Sequence, residues 1–357
     1  MRRKALIRDR VAAFGATLAL VLLVLLVLLD LSIAPSIVIL TDLFALAPLI
    51  ACAVVPPYGT AAIAVLTFGV AVASGVWNDA FGTAQQNVRL LDVALVSGAA
   101  VVISSVRVHR ERSFEQLSTI AEAAQRAILP VLPTRVDAVG TASRYRSAAR
   151  GALVGGDLYD CYHSGSHVRF IVGDVRGKGI AGVEQAARVI RAFRQSAALQ
   201  TTLTGVAEEM NEYLGRFFGD EEFVTALIVD VTEPRQLQLL SAGHPPPELV
   251  RATGSGQLVE LPAGVPLGMS VGAASGYVSV AVPWGPGDRL LMYTDGLSEA
   301  RGADGRFLDL ESLVPHLRAG SPEQALEAVL EEVEGHVPSG RLEDDLALVL
   351  LEHEDAP

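Results

Sequence analysis

Val11 to Leu29 is an unbroken run of nineteen apolar or small residues, and it limits the fold of this end of the chain more than any other feature. In hydrocarbon every backbone N–H and C=O needs an internal partner, so a run of this length reads as a helix crossing a bilayer. Three more apolar stretches follow, at about Ile37–Val55, Ala61–Trp77 and Leu90–Val106, with Pro35, Pro56-Pro57 and Asn78-Asp79 in the short connections. The expectation is an all-α, four-helix transmembrane region over residues 1–108. A cleaved signal peptide would carry a shorter apolar run and a small-x-small site after it, so it explains the first segment less well.

Charge sets the orientation. Arg2, Arg3, Lys4, Arg8 and Arg10 precede the first span, Arg107, Arg110 and Arg112 follow the fourth, and only Arg89 lies between spans. The positive-inside rule then puts both ends in the cytoplasm, giving a multi-pass protein of the cell membrane with lipid as its immediate partner. Asp42 and Asp92 lie near span ends, where an interfacial position explains them. Residues 1–112 carry nine Lys/Arg against six Asp/Glu, a net of +3; the remainder carries nineteen against thirty-four, a net of −15. A part that acidic argues against nucleic acid as a partner, because phosphate contacts need Lys and Arg. Cys52 and Cys161 make no CxxC pair and no disulfide framework.

Residues 109–133 read as a linker. Phe114, Leu117, Ile120, Ala121, Ala124, Ala127 and Ile128 fall at three- and four-residue spacing, which makes an amphipathic helix continuing from the last span and ending at Pro130 and Pro133. Its apolar face suits either a spacer or a homodimer through a two-helix coiled coil.

Residues 134–357 are strand-rich with helices between. Strands are expected at Val168–Gly173, Phe223–Val231, Gln236–Ser241, Tyr277–Val282, Arg289–Thr294 and Leu346–Leu351, and helices at Ala181–Leu199, Leu203–Phe217 and Pro322–Glu334. Ser321 fits an N-cap with Pro322 behind it. Short turns such as Thr232-Glu233-Pro234-Arg235 imply antiparallel pairing, hence an α/β (α+β) domain of packed sheets with helices outside.

Four acidic clusters stand out: Gly155-Gly156-Asp157-Leu158-Tyr159-Asp160, Gly173-Asp174-Val175-Arg176-Gly177-Lys178-Gly179, Tyr293-Thr294-Asp295-Gly296, and Glu343-Asp344-Asp345. Each sets an aspartate at a strand edge beside glycine or another acid. One such turn is unremarkable; four together suggest carboxylates converging on divalent cations. Oxygen ligands suit Mg²⁺ or Mn²⁺, and two such ions about 3.5–4 Å apart would make a site for phosphate-ester hydrolysis.

The order of these elements, with Ala242-Gly243-His244-Pro245-Pro246-Pro247 and Pro266-Leu267-Gly268-Met269 between them, resembles the metal-dependent protein phosphatases, the superfamily of the type 2C enzymes, and within it the bacterial sporulation and stress-response branch. The resemblance covers about residues 124–352, since Ala124-Gln125-Arg126-Ala127-Ile128-Leu129-Pro130 is similar to the linker preceding such domains. It implies a central antiparallel β-sandwich flanked by helices, with Asp157, Asp174, Asp295 and Asp344 as metal-binding carboxylates and catalytic Asp157, Asp174 and Asp295. Asp174 would bridge two ions, the Val175 carbonyl would add a ligand, and Asp345 would be the weaker partner of the adjacent pair. The implied activity is hydrolysis of phosphoserine or phosphothreonine by a metal-activated water, on a phosphorylated STAS-domain anti-sigma factor antagonist. His163, His167 and His244 are candidate general acids, and Arg146, Arg150 and Lys178 candidate phosphate contacts, each also readable as an ordinary turn or surface residue. The alternatives are an inactive phosphatase-like binding module; a diguanylate cyclase, suggested by Gly155-Gly156-Asp157 but lacking an acid at Leu158; and a transporter, which leaves residues 134–357 unexplained.

Overall fold

The structure, a computed structural model, describes residues 2–32, 40–147, 155–165, 167–177, 179–219, 221–269, 276–338 and 342–354. It divides into two compact units, Met1–Glu115 and Gln116–Pro357.

The first unit is helical. α1 (Arg2–Ser32) is followed by a 3₁₀ turn (Thr41–Ala45), the short α2 (Leu46–Ala51), α3 (Pro57–Trp77) and α4 (Ala84–Ile128), inside which the boundary between the units falls. Among the described residues, three helical stretches are long and apolar enough to cross a membrane, Arg10–Ser32, Pro57–Trp77 and Ala84–Phe114. The expected second span, about Ile37–Val55, is described only in part. Residues 37–39 lie outside the described ones, and the rest is a short apolar helix, Thr41–Ala51. Pro48 removes a donor within this piece, and Pro56 and Pro57 follow its end. Carbonyls just past its end are satisfied from neighbouring helices: Arg107 donates to the Cys52 and Val55 carbonyls, and Ser104 and Thr60 donate to Val55. Asp42, in the 3₁₀ turn, and Asp92, in α4, are exposed. Asp30 is instead buried, its carboxylate accepting from the Leu40 N–H, Ser74, Trp77 and Asn78.

In the second unit β1 (Arg135–Val136), β2 (Val139–Arg146), β3 (Asp157–His163) and β4 (Val168–Val175) precede α5 (Ile180–Leu199) and α6 (Leu203–Leu214). Next come β5 (Val224–Asp230), β6 (Gln236–Ala242), β7 (Glu248–Val250), β8 (Gly256–Leu258), β9 (Val280–Pro283) and β10 (Arg289–Tyr293). The short α7 (Asp295–Ser298), α8 (Val314–Arg318) and α9 (Pro322–His336) lead to β11 (Leu346–His353). A six-stranded sheet runs β1-β2-β11-β10-β7-β8 and a five-stranded sheet β3-β4-β5-β6-β9, with every strand pair antiparallel.

Side-chain alternation builds the layers. On β4, Phe170 and Val172 enter the core between the sheets, while Ile171 and Val175 pack with α5 and α6. On β11, Ala347, Val349 and Leu351 face the other sheet, and Leu346, Leu348 and Leu350 pack with α8 and α9. Arg169, on the helix side of β4, donates to the Ala197 and Gln200 carbonyls at the end of α5 and pairs with Asp230 at 2.7 Å. Ser321 caps α9 through a capping box with Gln324. The expected helix Leu203–Phe217 stops at Leu214, and the expected strand Tyr277–Val282 is shifted to Val280–Pro283. Strands β1, β2, β3, β7 and β8 were not among those expected.

Candidate metal centre

The inner-face alternation carries through to the acidic ends of β3 and β4. Asp157 shares the parity of Tyr159 on β3, and Asp174 that of Phe170 and Val172 on β4, so both carboxylates lie on the face between the sheets. Their Cα positions are directly paired. Like charges opposed in this way are destabilising unless something neutralises them. Asp295 opens α7, immediately after β10, and closes the group: ligand oxygens of Asp157, Asp174 and Asp295 lie within 4.8 Å of one another.

The electrostatics fit a cation. Burial, then the Asp174 charge, raise the Asp157 carboxyl well above the usual carboxylate range. Burial, then Asp295, push Asp174 up to about 7. Three hard oxygen donors gathered this closely suit Mg²⁺ or Mn²⁺. The donor set therefore fits the metals that the sequence implies.

Neighbouring residues hold the carboxylates in place. Thr294, buried on the inner face of the other sheet, donates to Asp157 Oδ2 at 2.6 Å and accepts from the Ala347 N–H at 2.8 Å. Asp344 and Asp345 lie outside the group of three, and Asp344 Oδ1 accepts from the Asp345 N–H. Asp345 Oδ2 accepts from the Gly155 N–H and the Tyr145 hydroxyl, each at 2.7 Å, which fixes the approach to Asp157. Here the Gly-Gly pair has its reason: a Cβ on Gly155 would stand 1.9 Å from Asp345 Oδ2, and one on Gly156 2.2 Å from the Val175 carbonyl oxygen. Gln125 of α4 joins the same network, donating to the Asp157 carbonyl at 3.3 Å and lying 2.9 Å from the Tyr145 hydroxyl.

The candidate acids are placed otherwise. His163 ends β3 and His167 immediately precedes β4, six and seven residues from Asp157 and Asp174, about 20 Å of extended chain, where they meet Asp137 and Arg169. His244 is buried, both ring nitrogens are engaged, and burial pushes its pKa down to about 4, so it is not poised to give up a proton near neutrality. Arg146 lies 3.9 Å from Glu327 and 3.6 Å from Glu334, both on α9; Arg150 and Lys178 lie outside the described residues. Burial pushes the Cys161 thiol up to about 12, away from the thiolate form that a nucleophile needs. The sequence reading missed Tyr145, Gln125 and Thr294; for Thr294 the signal was its inner-face parity beside Asp295.

Two antiparallel sheets between helical layers, with aspartates gathered at one edge, define a PP2C-type metal-dependent phosphatase domain. The family model for Stage II sporulation protein E (SpoIIE) matches residues 164–354, more than half of the chain. The chain belongs to that family. Among solved structures, the RsbU and RsbW domains of Rv1364c from Mycobacterium tuberculosis match at 25% identity and a TM-score of 0.52, over 62% of this chain and 63% of theirs. The SiaA-PP2C domain of Pseudomonas aeruginosa matches at 20% identity and 0.56, over 71% of this chain and all of that domain (100%). The PP2C phosphatase domain of SpoIIE from Bacillus subtilis, with a fragment of its regulatory domain, matches at 20% identity and 0.50, over 61% and 64%. This chain thus spans less than two thirds of the first of these relatives.

Proposed function

We propose that this chain is a membrane-anchored protein serine/threonine phosphatase that acts on a phosphorylated regulatory protein in the cytoplasm. The observation that carries the reading is the group of three carboxylates within 4.8 Å at the edge of a SpoIIE-family domain. Family membership displaces the cyclase reading, and the intact acidic group weighs against an inactive binding module.

Two Mg²⁺ or Mn²⁺ ions held there would supply an activated water and offset charge on the phosphoryl oxygens. Asp157, Asp174 and Asp295 would hold them, with the Val175 carbonyl, Asp344 and Asp345 completing the expected set. The chain's own contribution is rigidity. Thr294 fixes one Asp157 oxygen, Asp345 fixes Gly155, and Gly156 leaves room beside the Val175 carbonyl. Such preorganisation lets the site meet the charge of the transition state without reorganising.

For the substrate, a phosphoserine STAS-domain antagonist of an anti-sigma factor is the reading that the family resemblance supports. The domain division proposed is residues 1–108 in the membrane, 109–133 as linker and 134–357 as catalytic domain. Basic residues at both ends of the apolar region support a cytoplasmic N-terminus and catalytic domain. Phe114, Leu117 and Ile120 are exposed along one face of α4, which supports a homodimer through that helix.

The test uses the full chain in detergent. Mn²⁺-dependent phosphate release from a phosphoserine STAS-domain protein, abolished by Asp174→Ala, is the expected result. No release from wild type, with Mn²⁺ bound and several phosphoprotein classes tried, would overturn the enzymatic reading.

A further inference from the structure

His244 lies in the turn that carries the chain from β6 of one sheet to β7 of the other. Its ring faces Tyr293 and Thr225, one partner on each sheet. Nε2 is 3.0 Å from the Tyr293 carbonyl, which can only accept, so Nε2 carries the proton. Nδ1 is then bare and accepts from the Thr225 hydroxyl at 3.0 Å. The tautomer is thereby fixed. Backbone contacts hold the ring in turn: the Ser241 hydroxyl accepts from the His244 N–H and donates to its carbonyl, and Gly243 forms a bridge with Ala226.

Both partners adjoin the metal centre. Thr225 is the direct cross-strand partner of Asp174. Tyr293 is followed by Thr294, which holds Asp157, and then by Asp295. One imidazole therefore joins the strand beside Asp174 to the strand end that delivers Asp295, at the edge where the sheets part.

We propose that His244 is a positioning residue that sets the separation of Asp174 and Asp295, so that its loss loosens metal binding rather than substrate binding. The proposal rests on the metal-phosphatase reading. The ring reaches the metals only through Thr225 and Tyr293. Gln at this position keeps a donor for the Tyr293 carbonyl, whereas Phe keeps the ring volume and loses both bonds.

The test is Mn²⁺ binding to the full chain in detergent, followed by electron paramagnetic resonance of free Mn²⁺, with phosphatase kinetics at saturating Mn²⁺ beside it. For His244→Phe the Mn²⁺ dissociation constant should rise about 10- to 100-fold, as for outer partners of metal ligands, with the KM for phosphoprotein unchanged. His244→Gln should recover most of the loss. Thr225→Val, which removes one bond and keeps the side-chain shape, should show a smaller rise and serves if the Phe variant does not fold. Wild type that binds Mn²⁺, beside Phe and Val variants that bind it equally well, would overturn the proposal alone. Wild type that binds no Mn²⁺ would overturn the metal-centre reading and this proposal with it.

Discussion

The hydroxyl of Thr294, just past β10 of one sheet, donates a 2.6 Å hydrogen bond to Asp157 Oδ2 on the other, so the candidate metal centre is assembled across the sandwich. Thr294→Val keeps the shape and deletes the donor. The expected outcome is a 10- to 100-fold rise in the Mn²⁺ half-saturation for phosphate release, the usual scale for an outer partner of a ligand. Steady-state kinetics over a Mn²⁺ series checks it; an unchanged half-saturation would contradict the role given to Thr294.

Gly156 has no room for a side chain, because a Cβ would stand 2.2 Å from the Val175 carbonyl oxygen. Gly156→Ala should displace that carbonyl. The expected cost is about 1–3 kcal/mol of stability, with weakened Mn²⁺ binding. Chemical denaturation and metal titration of the same preparation measure the two effects.

The crowded carboxylates make the metal-free domain sensitive to pH. Asp174 is raised from its ordinary value to about 7, by burial first and by Asp295 next. The folded state therefore holds a proton that the unfolded chain gives up nearer pH 4, and the metal-free domain loses stability as pH rises between those values. In chelator, the thermal midpoint should fall from about pH 5 to about pH 7, and Asp174→Asn should flatten the fall. Metal binding has the opposite slope. Mn²⁺ affinity should strengthen up to about tenfold per unit as pH rises towards 7, because the ion displaces the proton. Calorimetry at several pH values tests both slopes.

Gln125 connects α4 to the metal centre through the Asp157 carbonyl and Tyr145. Gln125→Leu leaves the volume and removes both bonds. Phosphatase activity should fall several-fold, with the stability loss held to about 1–3 kcal/mol for buried groups left unpaired. Activity per folded molecule, normalised by circular dichroism, separates the two. A variant as active as wild type would show that the contact is packing alone.

Local order was legible in the amino-acid pattern alone. Nineteen apolar residues require a helix in lipid whatever surrounds them. Val168–Val172 and Leu346–Leu351 alternate or run apolar in a way only buried strands use, and Ser321-Pro322 announces a helix start. The acidic clusters pointed to hard-cation ligands and the family resemblance singled out Asp157, Asp174 and Asp295, which open β3, lie near the end of β4 and open α7. Tertiary structure decided what depends on residues far apart in the chain. Asp345 meets Gly155 and Tyr145 across 190 and 200 positions, and Thr294 meets Asp157 across 137. Strand β3 reads as an acidic turn until pairing with β4 makes it a strand. Asp30 looks like the end of a span until the Leu40 N–H, Ser74, Trp77 and Asn78 surround it. Local pattern fixes which way a side chain points, whereas a hydrogen-bond partner is fixed only when the sheets close.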